Sequence, residues 1–168
     1  MNAHNPELAN PHSFARDEID AWRGRCIDLC ARGERAVSKT LQEALKCDHL
    51  VKLSPMAGPR LREAQTLFDT MSGTEKQHKA AAKTIKDWCD IEPKRAFLAH
   101  GELTTLLDPR SNWHARFDLT RFKANAPIEE SWVLDRQEAH MFEEELQHSF
   151  ASLSQQLGQL RRSVDRLA

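Results

Sequence analysis

Apolar positions recur every three or four residues over most of this chain, and where that rhythm changes the elements change with it. Ile19, Trp22, Cys26, Leu29, Cys30, Gly33, Val37, Leu41 and Leu45 form one stripe, the signature of a helix of about nine turns buried along one side. Arg23, Arg25, Asp28, Arg32, Glu34, Arg35 and Lys39 fall between them as a solvated face. Ser13 stands where an N-cap belongs, with Asp17 and Glu18 in the first turns to complement the helix dipole. Pro55, Gly58 and Pro59 then break the rhythm and predict a loop. A second helix starts at Pro59, carries Leu61, Ala64, Leu67, Phe68 and Met71, and ends at Ser72-Gly73. Thr74 and Gln77 have capping-box spacing and open a third helix with Ala80, Ala81, Ile85, Trp88 and Cys89 on its inner side. Pro93 is expected to kink or divide that helix near Asp90, and Gly101 stands just beyond its end.

Beyond Glu102 the period falls to two. Leu103, Thr105 and Leu107 alternate with other residues, Asp108 to Asn112 supply turn chemistry, and Trp113, Ala115, Phe117 and Leu119 alternate again. This predicts a β-hairpin. Lys123 to Pro127 reads as connecting loop. Asp135 and Glu138 repeat the capping spacing and start the last helix. Its stripe runs through Phe142, Leu146, Phe150 (or Ser149), Leu153, Leu157, Leu160, Val164 and Leu167. The predicted fold class is all-α: a bundle of four to five helices with a short β-hairpin inserted before the long C-terminal helix.

Length and charge narrow the function classes. The chain has 168 residues, with 24 Lys plus Arg against 25 Asp plus Glu, so no overall basic excess points to coating of nucleic acid. One domain over 13–168 is expected behind a flexible N-terminal arm at 1–12. That arm is polar, holds Pro6 and Pro11, and lacks the pattern of a secretory signal. No apolar run approaches the roughly 20 residues of a spanning helix. A cytoplasmic protein with reduced thiols and no membrane contact is expected, since four cysteines are few for a disulfide scaffold.

The chemistry-bearing residues divide into weak and stronger signals. Cys26 and Cys30 are four apart, but both lie on the apolar stripe, and no partner pair at zinc spacing accompanies them. No metal and no cofactor is expected. Glu138, Glu143, Glu144 and Glu145 with His140 and His148 contain a single Glu-x-x-His spacing where a bundle metal site needs two, and they read as a solvated acidic face. The segment Lys94-Arg95-Ala96-Phe97-Leu98-Ala99-His100-Gly101 differs from these. An arginine held five residues before a histidine pairs a permanent planar cation, suited to a phosphorane, with a group able to move a proton from a ribose 2′-hydroxyl.

Arg95 and His100 in this arrangement resemble the Arg-x4-His signature of the HEPN superfamily of all-α domains, which includes RNA-cutting toxins and antiviral effectors. The resemblance implies a homodimer with the two pairs in a cleft between protomers, metal-independent RNA endonuclease chemistry by Arg95 and His100, and a cognate antitoxin or partner protein. Ala96 departs from the pattern, because catalytic members carry a polar residue directly after the arginine. That departure favours a dimeric non-catalytic or RNA-binding interaction protein over the nuclease.

The local charge adds to the RNA expectation. Between 94 and 123, six basic residues (Lys94, Arg95, Arg110, Arg116, Arg121, Lys123) face three acids, with His100 and His114 besides, and Lys76, Lys79, Lys83 and Lys86 precede them. Lys94, Arg110, His114 and Arg116 are the candidate RNA contacts. Trp113 and Phe117 could stack on bases, although burial against a helix is favoured. In a purely structural role, His100 would bond the last helical carbonyls and Arg95 would pair with Glu92 or a neighbouring helix.

Overall fold

A computed structural model of the chain describes residues 10–47, 49–70 and 74–165. In order these form α1 (Pro11–Lys46), α2 (Ala57–Thr70), α3 (Glu75–His100), β1 (Glu102–Leu107), β2 (Trp113–Lys123), β3 (Ala126–Asp135) and α4 (Arg136–Asp165). The all-α expectation is corrected: four helices are joined by a three-stranded antiparallel sheet of order β1-β2-β3, although the chain remains mostly helical. The hairpin arms β1 and β2 lie on the predicted alternation, and the strand that changes the class is β3. Backbone contacts group the chain into two compact units, one of residues up to 27 with 96–143, the other of 28–95 with residues from 144 onward. Among the described residues no helix is long and apolar enough to cross a membrane.

In the sheet-bearing unit, pairing of β2 with both neighbours sets Leu103 opposite Phe117, Phe117 opposite Trp132, and Ala115 opposite Leu134. Successive strand residues point to opposite faces, so these share the inner face, and Trp113, Ala115, Phe117 and Leu119 are all buried. Trp132 centres an aromatic cluster, with ring centroids 5.7 Å from Phe117, 5.2 Å from Phe142, 6.1 Å from Phe97 and 6.2 Å from Trp22. β3 replaces the loop expected at 123–127 because cross-strand pairing outweighs its local signals. Pro127 reads as loop, and Glu129-Glu130 interrupt the alternation, yet β3 is an edge strand, where a proline costs no ladder bond. The link from β2 is the two-residue turn Ala124-Asn125, with φ of 49° and 65°. Both values are left-handed, as a tight hairpin of this kind requires. On the other edge, Arg16 Nη1 of α1 donates to the Leu103 carbonyl at 3.2 Å.

Local capping fixes the helix ends. Asn10, not Ser13, caps α1: its Oδ1 accepts the His12 N–H at 3.0 Å, and Pro11 takes the first helical position, where its missing donor is harmless. The arm expected over 1–12 lies outside the described residues up to residue 9. At α3 the Thr74 N–H donates to Gln77 Oε1 at 2.7 Å and the Gln77 N–H to Thr74 Oγ1 at 3.3 Å. At α4 the Asp135 N–H donates to Glu138 Oε2 at 2.9 Å and the Glu138 N–H to Asp135 Oδ1 at 2.8 Å. Pro93 does not divide α3, which runs unbroken to His100. Trp88 and Ile91 before it, and Phe97 and Leu98 after it, are buried, and that burial offsets the backbone bond a proline cannot make.

The second unit packs the rest of α1 with α2, the first part of α3 and the rest of α4. Its core includes Leu29, Val37, Leu41, Leu61, Leu67, Ile85, Trp88, Leu146, Leu153 and Leu157. Gly33 admits Trp88 so closely that a Cβ there would meet the Cζ2 and Cη2 atoms of the indole at 2.1 and 2.4 Å. Residues 71–73, where the second helix was expected to end, lie outside the described residues.

Candidate functional site

Arg95 belongs to the four-helix unit. Its Nε pairs with Glu34 Oε1 of α1 at 3.1 Å, and Glu34 also holds Arg60 of α2, Oε2 to Nη2 at 3.7 Å. The same side chains wall a cavity of about 20 Å³ with Cys30, Val37, Leu61, Trp88 and Ile91, room for about one water molecule. His100 is the last residue of α3 and is exposed. Because α3 is continuous between them, the two Cα positions lie about 140° apart around the axis and about 7.5 Å along it. At the end of α3 the Leu98 carbonyl accepts from Arg23 Nε of α1, and Arg23 Nη2 donates to the carbonyl of Gly101, just beyond the helix, at 3.3 Å. Burial lowers the Arg23 pKa, with Asp20 opposing that change. Gly101 keeps a negative φ. Space selects glycine there, because a Cβ would lie 2.5 Å from the Phe97 carbonyl oxygen and 3.2 Å from Phe117 Cβ.

The other predicted contacts are spread. Lys94 is half-buried in the four-helix unit. Arg110 is exposed in the β1–β2 turn, and His114 and Arg116 share the outer face of β2. His114 sits opposite Leu106 on β1 and Asp135 on β3, and Arg116 Nε bonds Asp118 Oδ1 at 2.9 Å. Asp118 also accepts the Ser131 hydroxyl. These bonds, that of Ser131 first, hold its pKa below the usual carboxylate value. Trp113 and Phe117 are buried, so base stacking on them is ruled out. Among the described residues no group of three His, Cys, Asp or Glu side chains is placed to hold a metal ion.

A cleft of about 660 Å³ lies wholly within the sheet-bearing unit. α1 contributes Glu18, Trp22 and Arg25. The β1–β2 turn and the start of β2 add Asp108, Asn112, Trp113 and His114, and the strand end and α4 add Asp135, Arg136, Gln137, Ala139, His140 and Glu143. Two ion pairs cross it. Arg25 donates through Nε and Nη2 to the two Glu143 oxygens at 2.7 and 2.9 Å, and Arg136 Nη2 meets Glu18 Oε1 at 2.7 Å. The bonds that Arg25 donates to Glu143 raise its pKa. Trp22 Nε1 ties the floor to α4 through the Ala139 carbonyl at 2.8 Å.

Asp108 shapes the rim. Its Oδ1 accepts the N–H groups of Arg110 and Asn112, each at 2.8 Å, and its Oδ2 accepts the Asn112 side-chain amide at 2.9 Å. These bonds, led by those from Asn112, lower its pKa from 3.8. A carboxylate whose pKa is depressed by folding stabilises the fold above its unfolded value and loses that contribution as pH falls through the folded one. Asp108→Asn is therefore expected to melt below wild type at pH 7 and to approach it as pH falls below about 3.8. A constant gap in melting temperature from pH 7 to acid would show that the Asp108 charge does not hold the turn.

Sequence reading missed most of this cleft. Glu143, assigned to a solvated acidic face, is buried, whereas Glu138, Glu144, Glu145, His140 and His148 are exposed. The available signal was its place in the stripe Ala139, Glu143, Leu146, where a carboxylate calls for a cation. No family model matches the chain, and neither a curated protein nor a solved structure matches it.

Proposed function

We propose that this protein works by binding, as a non-catalytic protein-interaction domain, with the cleft of the sheet-bearing unit as its contact site. The observation that carries this reading is the engagement of Arg95 by Glu34, which also holds Arg60. A guanidinium committed in this way serves packing of the four-helix unit, and the Arg-x4-His segment is HEPN-like in sequence and structural in role. The charge pattern favours a protein partner over RNA. Lys79, Lys83 and Lys86 pair with Glu75, Asp87 and Asp90, and Arg116 and Arg121 pair with Asp118 and Glu130, so acidic neighbours offset part of the positive charge that would attract phosphates.

Incubation of the purified chain with mixed single-stranded RNA and a chelator tests this directly. Neither wild type nor His100→Ala is expected to cut. Cutting by wild type that His100→Ala abolishes would overturn the reading and restore the nuclease. In parallel, Arg95→Ala should lower the melting temperature by a few degrees at most, as a half-exposed pair allows, and by more than His100→Ala.

A further inference from the structure

We propose that the cleft of the sheet-bearing unit receives an organic cation, the guanidinium or ammonium side chain of a basic segment in a partner protein. This rests on the binding reading above and gives it a chemistry. Four carboxylates (Glu18, Asp108, Asp135 and Glu143) and two guanidinium groups (Arg25 and Arg136) line the walls, so acids outnumber arginines two to one. Depth reinforces the sign. The Glu143 side chain is 10% exposed against 56% for Arg25, and Glu18 is 29% exposed against 67% for Arg136. Glu143 and Glu18 lie deeper than the arginines that pair with them, so an entering cation meets carboxylates, and the two arginine heads can turn to water.

The floor of the cleft carries one unmet donor. Trp22 and Trp113 close it with rings that are 3% and 4% exposed, so recognition there falls to polar groups and not to stacking. Trp113 is 4% exposed, lines the cleft, and its Nε1–H has no hydrogen-bond partner among the described residues. A buried donor left unmade is unfavourable, and a peptide carbonyl accompanying the basic side chain is the acceptor that would meet it. An anion finds less. The N-terminus of α4 opens here, but the carboxylate of Asp135 already accepts the Glu138 N–H at that end and places its own negative charge there. A metal ion lacks three converging ligands among the described residues. The volume of about 660 Å³ holds a side chain with its flanking backbone.

Calorimetric titration of the full chain with end-blocked Gly-Arg-Gly and Gly-Lys-Gly peptides tests the proposal, with citrulline and glutamate counterparts and spermidine as comparisons. The arginine and lysine peptides are expected to bind saturably, more weakly at high salt, with the citrulline peptide at least tenfold weaker. Glu18→Gln combined with Asp135→Asn should weaken the arginine peptide at least tenfold. Asparagine caps a helix as well as aspartate does, so a preserved melting curve will show that the loss is one of charge. Absence of binding up to about 10 mM, equal binding of arginine and citrulline peptides, preference for the glutamate peptide, or full affinity in the folded double variant would each overturn the cation site. Spermidine binding more tightly than either basic peptide would overturn the peptide source. Any of these results without RNA cutting leaves the non-catalytic reading intact, whereas His100-dependent cutting removes that reading whatever the cleft binds.

Discussion

Gly33→Ala is expected to destabilise the protein by about 2 kcal/mol, against the usual gain of about 1 kcal/mol when alanine replaces a mid-helix glycine. The added methyl would stand 2.1 Å from Cζ2 and 2.4 Å from Cη2 of Trp88, distances no pair of carbon atoms tolerates. Trp88 is held between neighbours, with the Phe150 ring 6.4 Å from its own, so either the indole or α1 must move. For a chain of this size the loss corresponds to roughly 4–8 °C in melting temperature. Gly24 supplies the control on the same helix: among the described residues nothing lies within 4 Å of its added Cβ, and Gly24→Ala should raise the melting temperature slightly. Trp88→Phe removes the part of the ring that clashes. The pair Gly33→Ala/Trp88→Phe should therefore be more stable than the sum of the two single changes predicts. Thermal melting of these four variants is the measurement, and stabilisation by Gly33→Ala would show that α1 and α3 do not approach this closely.

Trp132→Ala should have the larger effect, a loss of about 3 kcal/mol, or roughly 6–12 °C. Four aromatic partners surround the ring within 6.2 Å, and aromatic pairs add to the area they bury. The near-ultraviolet dichroism should weaken with the stability, because the cluster fixes the orientation of several rings. Trp132→Phe should retain most of both. A variant that melts like wild type would mean that β3 adds little to the sheet-bearing unit.

The importance of Trp132 could not be read from its neighbourhood in the chain. Two capping boxes and the two hairpin arms agree between sequence and structure. Thr74 with Gln77 and Asp135 with Glu138 form the reciprocal caps their spacing implies, and β1 and β2 follow their alternation. β3 has no such support. Its turn lacks the glycine that marks a tight hairpin, Pro127 and two glutamates disguise its period, and only pairing with β2 makes it a strand. Asn10 was overlooked as a cap because Pro11 made its surroundings look like an extended arm. Pro93 misled in the opposite direction, since burial on both sides sustains a helix that local preference would divide. The cleft was least legible of all. Its lining comes from three separate stretches, and nothing near Glu143 in sequence announces Arg25, which lies more than a hundred residues away.

Arg16 has a consequence for the solution behaviour of the protein. A sheet with two open sides invites foreign strands to extend it, the first step toward fibrils. One side is guarded by the guanidinium seated on Leu103, the other by Pro127, Glu129 and Glu130. The protein thus carries its protection against self-templating growth at both borders, and on the β1 side that protection comes from a helix.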